Sequence, residues 1–364
     1  MRRTTLVAVA LVAAALASLL PGAAGAAEAG IQPEPLESFQ WALDNIDARA
    51  ANDAGFTGEG AVVAVIDDGF HIEHPEFAGR IHPDSASWRC PAGAEIPCPI
   101  GNGGLAAHGT HTMGIAGAAR NGYGTAGVAP DATLMPLRMP IDEVAFLTSV
   151  PDMIRYAVDH GADVISASIG LEVSIFGPGL NNAVGIAMGW RDAVEYAAAH
   201  DVVVVFAGGN RFQPVCDSEF GGVPLLCVGA VGPDDARPLY SNFGAGLDLV
   251  APGGDGGACL GNVLSTVAPT TDTENCAPLI PDEYEQTYRF QSGTSMAAPH
   301  VAGVAALLAG AGIHGEAAVE RILATTDDLV VPGWDPETGA GRVNALRAVT
   351  DDRNPTPALE VPWS

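Results

Sequence analysis

Lysine is absent from this 364-residue sequence, and positive charge of any kind is scarce. All 16 basic residues are arginines, 43 residues are acidic, and the formal net charge is −27. Nucleic acids and anionic membrane surfaces bind proteins through clustered positive charge. We therefore expect that this chain has neither a nucleic-acid nor a membrane partner.

Apolar runs long enough to span a membrane are also missing. The run Leu6–Leu20 is shorter than the roughly 20 residues that a spanning helix needs. It follows a pair of arginines and precedes a cluster of small residues, which is the pattern of a secretory signal peptide. We predict a signal peptide over residues 1–27, cleaved after Ala26 or Ala27, and a secreted protein. The arginine pair leaves twin-arginine export open, although the residues after it favour the general secretory route.

The Cys-x-x-Cys spacing that would indicate a zinc or dithiol site does not occur. The cysteine count is even, at 6, and the secretory route favours disulfide bonds. Fifteen pairings are possible in principle. The cysteines fall into couples that are close in sequence, and we expect each to bond its neighbour: Cys90–Cys98, Cys216–Cys227 and Cys259–Cys276.

Apolar residues make up 48% of the sequence, enough to bury a full core. Runs typical of buried strands alternate with helical patterns, which predicts an α/β fold of three layers. We expect a mostly parallel central sheet with helices on both faces. The predicted domains are an N-terminal arm over 28–40, one catalytic domain over 41–350 and a polar tail over 351–364. The predicted strands are Ala61–Ile66, Ala132–Leu137, Asp163–Ser168, Val202–Ala207, Leu226–Val231 and Leu247–Val250, and the predicted helices include Trp41–Ala54, Pro151–His160 and Trp190–Ala199.

Polar residues follow the buried strands or open the helices. Asp67 ends one strand and Asn210 follows another, and α/β enzymes place functional groups at that edge of the sheet. His108 and Ser295 each stand at the start of a helix, where N–H groups favour negative charge such as a tetrahedral oxyanion. A lone serine there would be no more than a helix cap. Asp68 is expected to point to the opposite side from Asp67, because strand side chains alternate.

Four motifs carry a resemblance to a known family. They are Val65–Gly69 around the aspartate, His108–His111, Ala207–Asn210 and Gly293–Pro299 around the serine. In this order they resemble the motifs of the subtilisin family of serine endopeptidases, and the resemblance runs from about Trp41 to Val349. The order aspartate, histidine, serine is the one known for subtilisin.

The resemblance implies a role for each matching residue. Ser295 is the nucleophile, His108 the general base and Asp67 the residue that orients it. The side-chain amide of Asn210 and the N–H of Ser295 form the oxyanion hole. The family requires no cofactor for its chemistry, and we expect protein or peptide substrates and a monomer. The segments that match the family's substrate cleft are Ser168, Ile169, Gly170 and Ala207, Gly208, Gly209.

A structural calcium ion is also implied by the resemblance. Glu76, Asn121 and Glu37 fall where the family places side-chain ligands. Calcium takes six to eight oxygen ligands, and loop carbonyls of Ala119, Tyr123 and Thr125 would supply others. The alternative is that Glu76 and Glu37 are two more acids on an acidic surface.

The sequence departs from the family pattern in two respects. Secreted members usually carry a folding prodomain, whereas at most 14 residues separate Ala27 from the helix at Trp41; the enzyme then folds unaided or with a separate helper. The stretches Leu171–Trp190 and Gly253–Phe290, which adjoin cleft motifs, are longer than the family minimum. This favours a dedicated processing protease over a protease that degrades proteins broadly.

A non-catalytic peptide-binding protein is disfavoured because all four catalytic residues are present. An esterase of the α/β-hydrolase type is excluded by the missing Gly-x-Ser-x-Gly motif.

Overall fold

An eight-stranded sheet forms the centre of the fold in a computed structural model of the chain, which describes residues 33–101, 107–170, 178–218, 224–269 and 279–354. The strands of this sheet are β1 Val62–Asp67, β2 Ala86–Ser87, β3 Cys98–Pro99, β4 Thr133–Arg138, β5 Val164–Ala167, β6 Val203–Ala207, β7 Leu226–Val231 and β8 Leu249–Pro252. The described part of the sheet has the order β3-β2-β4-β1-β5-β6-β7-β8, and its neighbouring strands are parallel except for the antiparallel pair β2–β3. A separate antiparallel hairpin pairs β9 Val263–Thr266 with β10 Tyr288–Gln291.

Helices cover both faces of the sheet. Successive residues of β1 face opposite cores, with Val63 and Val65 in one and Ala64 and Ile66 in the other. Because both faces are buried, the strands show no polar alternation. The α-helices of the described residues are α1 Trp41–Asn45, α2 Ala48–Asp53, α3 Ala107–Gly117, α4 Glu143–Asp159, α5 Pro178–Ala187, α6 Trp190–Ala198, α7 Thr294–Gly310, α8 Gly315–Ala324 and α9 Ala345–Thr350. The first core takes residues from α3, α7 and α8, and the second from α4 and α6, so the predicted three-layer α/β fold is confirmed.

The helix α7 runs through the first core and contacts β5, β6, β7 and β8. It is apolar on all sides, as expected of a helix without a solvent face. Its small residues allow close approach: a Cβ atom on Gly303 would lie 2.5 Å from the Cβ of Val128. This packing fixes the first turn of α7 against the carboxyl ends of the strands.

Two predicted helices differ from the structure. The helix predicted from Trp41 to about Ala54 is broken into α1 and α2 by Asp47, which has a left-handed backbone (φ 54°). Aspartate tolerates this conformation, and the Asp47 carboxylate accepts a 2.7 Å hydrogen bond from Asn344. The helix predicted from Pro151 begins earlier, at Glu143, because Asp142 caps it by accepting from Ala145 N–H at 2.9 Å.

Two of the expected disulfides are confirmed. Cys90 bonds Cys98, and Cys216 bonds Cys227. Cys259 is also in a disulfide, and Cys276, its expected partner, lies outside the described residues.

Several other predictions fall wholly or partly outside the described residues. They are the signal peptide, the arm before Pro33, the tail after Asn354 and parts of the two long stretches beside the cleft. Glu34–Ser364 forms one compact unit. Among the described helices, none is both long enough and apolar enough to cross a membrane.

Candidate active site

The aspartate of the first motif ends β1 and is fully buried. Asp67 Oδ1 accepts a hydrogen bond from His108 Nδ1 at 2.7 Å, and Oδ2 accepts one from the Thr112 hydroxyl at 2.9 Å. The backbone N–H of Asp68 also donates to Oδ1, at 2.7 Å. A carboxylate only accepts, so His108 carries a proton on Nδ1, and Nε2 is the ring nitrogen left for a substrate.

The imidazole of His108 lies in the first turn of α3 and is 36% exposed. The negative charge of Asp67 raises the pKa of His108 to about 9, although desolvation opposes the shift. The charge of Asp68 raises this pKa further. His108 is therefore a strengthened base that can still be reached from solvent.

The prediction that Asp68 points away from Asp67 is wrong. Ligand-type atoms of Asp67, Asp68 and His108 all lie within 4.8 Å of one another. β1 ends at Asp67, so the alternation of strand side chains does not extend to the next residue. Burial and the charge of Asp67 raise the pKa of the Asp68 carboxyl to about 6. Asp68 thus places a second acidic group beside the imidazole.

The sheet register brings the serine to this edge. Ile66 of β1 lies opposite Ala167 of β5, so the next residues, Asp67 and Ser168, are neighbours. Ser295 is in the first turn of α7, and its hydroxyl donates to the Ser168 carbonyl at 3.3 Å. The Ser168 hydroxyl donates in return to the Ser295 carbonyl at 2.8 Å. Because a hydroxyl has one proton, the Ser295 side chain must turn from Ser168 before it can donate to an imidazole.

The side-chain amide of Asn210 is oriented by Thr294. Asn210 Oδ1 accepts from the backbone N–H of Thr294 at 2.8 Å and from its hydroxyl at 3.0 Å. The Thr294 hydroxyl in turn accepts from Gly209 N–H at 3.0 Å. Since the amide oxygen is held by two donors, the Nδ2 group of Asn210 is left to donate elsewhere. Sequence alone did not indicate this role for Thr294, although its place before the serine is part of the motif.

Gly293 leaves an open space between two donors. A Cβ atom at this residue, whose φ is 148°, would lie 3.4 Å from Asn210 Nδ2 and 3.7 Å from Ser295 N. N–H groups in the first turn of a helix have no intrahelical acceptor. An oxygen atom that carries negative charge can therefore bind between the amide of Asn210 and the N–H of Ser295.

The segments predicted to line the cleft follow the adjacent strands β5 and β6. Their backbones are fixed: Gly208 N–H donates to Val228 O at 2.8 Å, and Asn242 Nδ2 donates to Gly208 O at 2.9 Å. Asn242 is a supporting residue that no sequence pattern pointed to. The six residues predicted for this role are Ser168, Ile169 and Gly170 after β5, and Ala207, Gly208 and Gly209 at the end of β6.

Two histidines near the catalytic motifs, His111 and His300, pack within the structure. His111 is fully buried and its Nε2 lies 3.1 Å from Val263 O; burial lowers its pKa to about 3. His300 Nδ1 lies 2.8 Å from Met296 O, and burial lowers the pKa of His300 to about 4. Both are neutral at pH 7 and are held by backbone carbonyls.

The three residues predicted to bind calcium, Glu76, Asn121 and Glu37, have different surroundings in the structure. Glu76 is fully buried, and its Oε1 accepts from the Tyr288 hydroxyl at 2.7 Å and from Thr125 N–H at 2.9 Å. Asn121 is exposed, and its Oδ1 accepts from Tyr123 N–H at 2.9 Å. Glu37 is already paired, because its Oε1 lies 3.0 Å from Arg49 Nε.

A second acid of the arm, Glu34, is buried near Glu76. Its Oε1 accepts from Gly122 N–H at 3.0 Å. Among the described residues, Oε2 of Glu34, Oε2 of Glu76 and Oγ1 of Thr125 are buried without a hydrogen-bond partner. Burial raises the pKa of Glu76 to about 8, and the charge of Glu34 adds to this shift. Burial also raises the pKa of Glu34 itself.

The sheet, the Asp67–His108 pair and a serine at a helix N-terminus together define a serine protease of α/β architecture. The sequence profile of the Subtilase family matches residues 58–341, and the chain belongs to this family. The family predicted from the four motifs is thereby confirmed.

Individual relatives agree with this assignment. The chain is 33% identical to thermitase from Thermoactinomyces vulgaris over 314 residues, which covers 86% of this chain and 96% of thermitase. It is 32% identical to subtilisin BL from Lederbergia lenta over 273 residues, or 75% of this chain and 84% of that protein. Among solved structures, a protease from Pseudoalteromonas arctica PAMC 21717 superposes with a TM-score of 0.68 at 28% identity, over 88% of this chain and 99% of that one.

Proposed function

We propose that the chain is a secreted endopeptidase that cleaves peptide bonds through Asp67, His108 and Ser295. The observation that carries the proposal is the 2.7 Å bond between Asp67 and His108 at the edge of the sheet where Ser295 contacts Ser168. The proposed catalytic domain is 41–350, preceded by a signal peptide over 1–27 and an arm over 28–40 and followed by a tail over 351–364.

The first step is attack of Ser295 Oγ on the scissile carbonyl carbon. The Ser295 proton passes to His108 Nε2, and the negative charge of Asp67 stabilises the imidazolium. The carbonyl oxygen becomes an oxyanion, which accepts hydrogen bonds from Asn210 Nδ2 and Ser295 N–H. Thr294 holds the amide of Asn210 in the donating orientation before the substrate binds, so the amide does not have to reorient during the reaction.

The second step is collapse of the tetrahedral intermediate. The bond between the carbonyl carbon and the leaving nitrogen breaks, and His108 donates its Nε2 proton to that nitrogen. Ser295 is left as an ester of the acyl fragment. A water molecule then attacks the ester carbonyl while His108 Nε2 takes its proton. The ester bond breaks, the proton returns to Ser295 Oγ, and the carboxylic acid is released.

Hydrolysis of a quenched peptide by the purified protein tests this function. We expect cleavage that a serine-directed fluorophosphonate abolishes. Peptide binding without cleavage at any pH from 6 to 10 would instead favour the non-catalytic peptide-binding alternative.

The charge of Asp68 should affect how kcat/KM depends on pH, because it raises the pKa of His108. The general base must be neutral, so kcat/KM should rise with pH through the pKa of His108. Asp68→Asn removes a negative charge that favours the imidazolium, and the rise should move to lower pH by roughly half a unit to one unit. The measurement is the pH profile of kcat/KM for one peptide substrate. Asp152→Asn, which removes an exposed charge on α4, should leave the profile in place; an unmoved profile for Asp68→Asn would disprove the coupling.

We propose further that Glu34 and Glu76 hold a structural calcium ion. The proposal is supported by three buried oxygens without a hydrogen-bond partner, which belong to two carboxylates and a threonine hydroxyl. Oxygens of this kind are the ligands that calcium prefers. Glu34 replaces Glu37 as the proposed ligand from the arm, because Glu37 is paired with Arg49. The protein's chemistry needs no metal in this account; the ion would join the arm to the loop around Thr125.

Thermal unfolding distinguishes the two acids of the arm. Calcium at 100 times its Kd should stabilise the protein by about 2.7 kcal/mol, so the Tm should be higher with calcium than with chelator at fixed ionic strength. This difference should persist in Glu37→Gln and disappear in Glu34→Gln and Glu76→Gln. Loss of the difference in Glu37→Gln alone would restore the ligand set predicted from sequence, and equal melting of the wild type in both buffers would remove the site.

A further inference from the structure

Gly293, the glycine beside the two proposed oxyanion donors, is held by the loop that follows β8. Its N–H donates to Gly253 O at 2.9 Å, and a Cβ atom on Gly253 would lie only 2.7 Å from Gly293 O. Gly253 itself is fixed to the sheet, because its N–H donates to Val231 O of β7 at 2.9 Å. The position of Gly293 relative to the sheet therefore depends on the Gly253 carbonyl.

The Gly253 carbonyl has a second donor, the hydroxyl of Tyr240. This hydroxyl lies 2.8 Å from Gly253 O and 2.6 Å from Gly254 O, so its single proton is shared between two carbonyls of one loop. The Tyr240 ring packs against the first core, and burial raises the pKa of the phenol above its usual value. The hydroxyl therefore remains a donor at the alkaline pH at which the His108 base is neutral.

The backbone around Tyr240 holds the other proposed donor, Asn210. The N–H of Phe212, two residues after Asn210, donates to Tyr240 O at 3.0 Å. The N–H of Asn242 donates at 3.0 Å to the carbonyl of Gly209, which directly precedes Asn210. Asn210 is thus flanked by two hydrogen bonds to the segment that carries Tyr240, whereas the Tyr240 side chain reaches the loop that holds the glycine next to Ser295.

Tyr240 therefore links the two groups whose separation defines the proposed oxyanion site. An oxyanion is stabilised best when both donors are already aimed at its position before the reaction begins. Loss of the Tyr240 hydroxyl would remove one donor from Gly253 O and allow Gly293 to shift relative to Asn210. A displacement of about 1 Å within an active site can lower a rate by about 100-fold.

We propose that Tyr240 is a positioning residue that fixes the distance between the amide of Asn210 and the N–H of Ser295, an inference that rests on the proposed peptidase function. Tyr240 acts through Gly253 and Gly293, and its hydroxyl has no part in the chemistry. Because the oxyanion forms only when Ser295 attacks, the effect belongs to the transition state and leaves substrate binding unchanged. A residue that merely kept the cleft folded would affect both.

Tyr240→Phe tests this inference, because it removes the hydroxyl and keeps the ring that packs on the first core. We expect kcat for a quenched peptide to fall about 5- to 20-fold, a part of the roughly 100- to 1,000-fold loss known when an oxyanion donor is removed outright. KM should stay within about twofold. Rates are divided by the concentration of sites titrated to completion with a fluorophosphonate, which removes any effect of partial misfolding.

Tyr156→Phe is the matched control for this substitution. The Tyr156 hydroxyl also donates to a backbone carbonyl, that of Asp84 at 3.0 Å, but in an exposed contact of α4. Its loss should leave both kcat and KM unchanged. A fall in kcat in Tyr156→Phe equal to that in Tyr240→Phe would show that the loss has nothing to do with the oxyanion site and would overturn the inference.

A double-mutant cycle with Asn210→Ala tests whether Tyr240 acts on the oxyanion site. Without the amide of Asn210 there is no second donor whose distance matters, so adding Tyr240→Phe to Asn210→Ala should lower kcat by less than about twofold. An unchanged kcat in Tyr240→Phe, a rise in KM that accounts for its loss of activity, or the full loss repeated in the double variant would each overturn the inference. A wild-type protein that cleaves no peptide and takes up no fluorophosphonate would instead contradict the proposed function itself.

Discussion

Ser295→Ala should lower kcat for peptide hydrolysis by about six orders of magnitude, the loss known for the serine of subtilisin itself. The substitution removes the atom proposed to attack the carbonyl, and the proposed roles of His108 and Asp67 both depend on that atom. The side chain of Ser295 is half-buried and holds one hydrogen bond to Ser168, so the fold should persist. The measurement is kcat for a quenched peptide, with Tm as the record of folding.

Ser292→Ala is the matched control for this substitution. Ser292 is exposed and lies before α7, so its loss should leave kcat unchanged. A Ser295→Ala protein that cleaves within tenfold of the wild type would show that another residue is the nucleophile.

Asp67→Asn should lower kcat by about four orders of magnitude without loss of folding. The groups around the carboxylate are hydrogen-bond donors: His108 Nδ1, the Thr112 hydroxyl and Asp68 N–H. An asparagine brings a donor of its own into this ring. If its amide donates to Nδ1 of His108, the imidazole proton is forced onto Nε2, and the ring can no longer accept the serine proton.

Asp68→Asn controls for the loss of one negative charge beside His108. Because Asp68 does not bond the imidazole in the described structure, its substitution should move the pH profile and leave the maximal kcat within about tenfold. If Asp67→Asn and Asp68→Asn lost the same activity, the orienting role of Asp67 would be refuted and only its charge would matter.

The main parts of the site could be predicted because they depend on local patterns. Asp67 ends a continuous apolar strand, and Ser295 opens an apolar helix with a glycine before it. These signals are visible within a few residues. The parallel sheet then brings them together, because Ile66 lies opposite Ala167 and their successors share one edge.

Other features depend on residues distant in sequence and were not predicted. The side-chain direction of Asp68 is set beyond the end of β1, where alternation no longer applies. The choice between Glu34 and Glu37 depends on Arg49, which pairs with Glu37. The hairpin of β9 and β10 packs on α3. The close contact requires a glycine at position 114, because a Cβ atom there would lie 2.2 Å from the Thr266 hydroxyl.

The roles of Thr294 and Asn242 have a common cause. Each is defined by contact with the cleft backbone: Thr294 with Gly209, and Asn242 with Gly208. No periodicity or motif spacing marks such contacts, because the partners come from separate strands. They become visible only when the loops after β5 and β6 are placed in space.

Mass spectrometry of the protein after reaction with a fluorophosphonate would identify the nucleophile. We expect one phosphonyl group per chain, attached to the peptide that contains Ser295, and no label after Ser295→Ala. Labelling should also slow markedly in Asp67→Asn, because the serine then lacks its base. An unlabelled wild-type protein, or a label on any residue other than Ser295, would show that Ser295 is not the nucleophile.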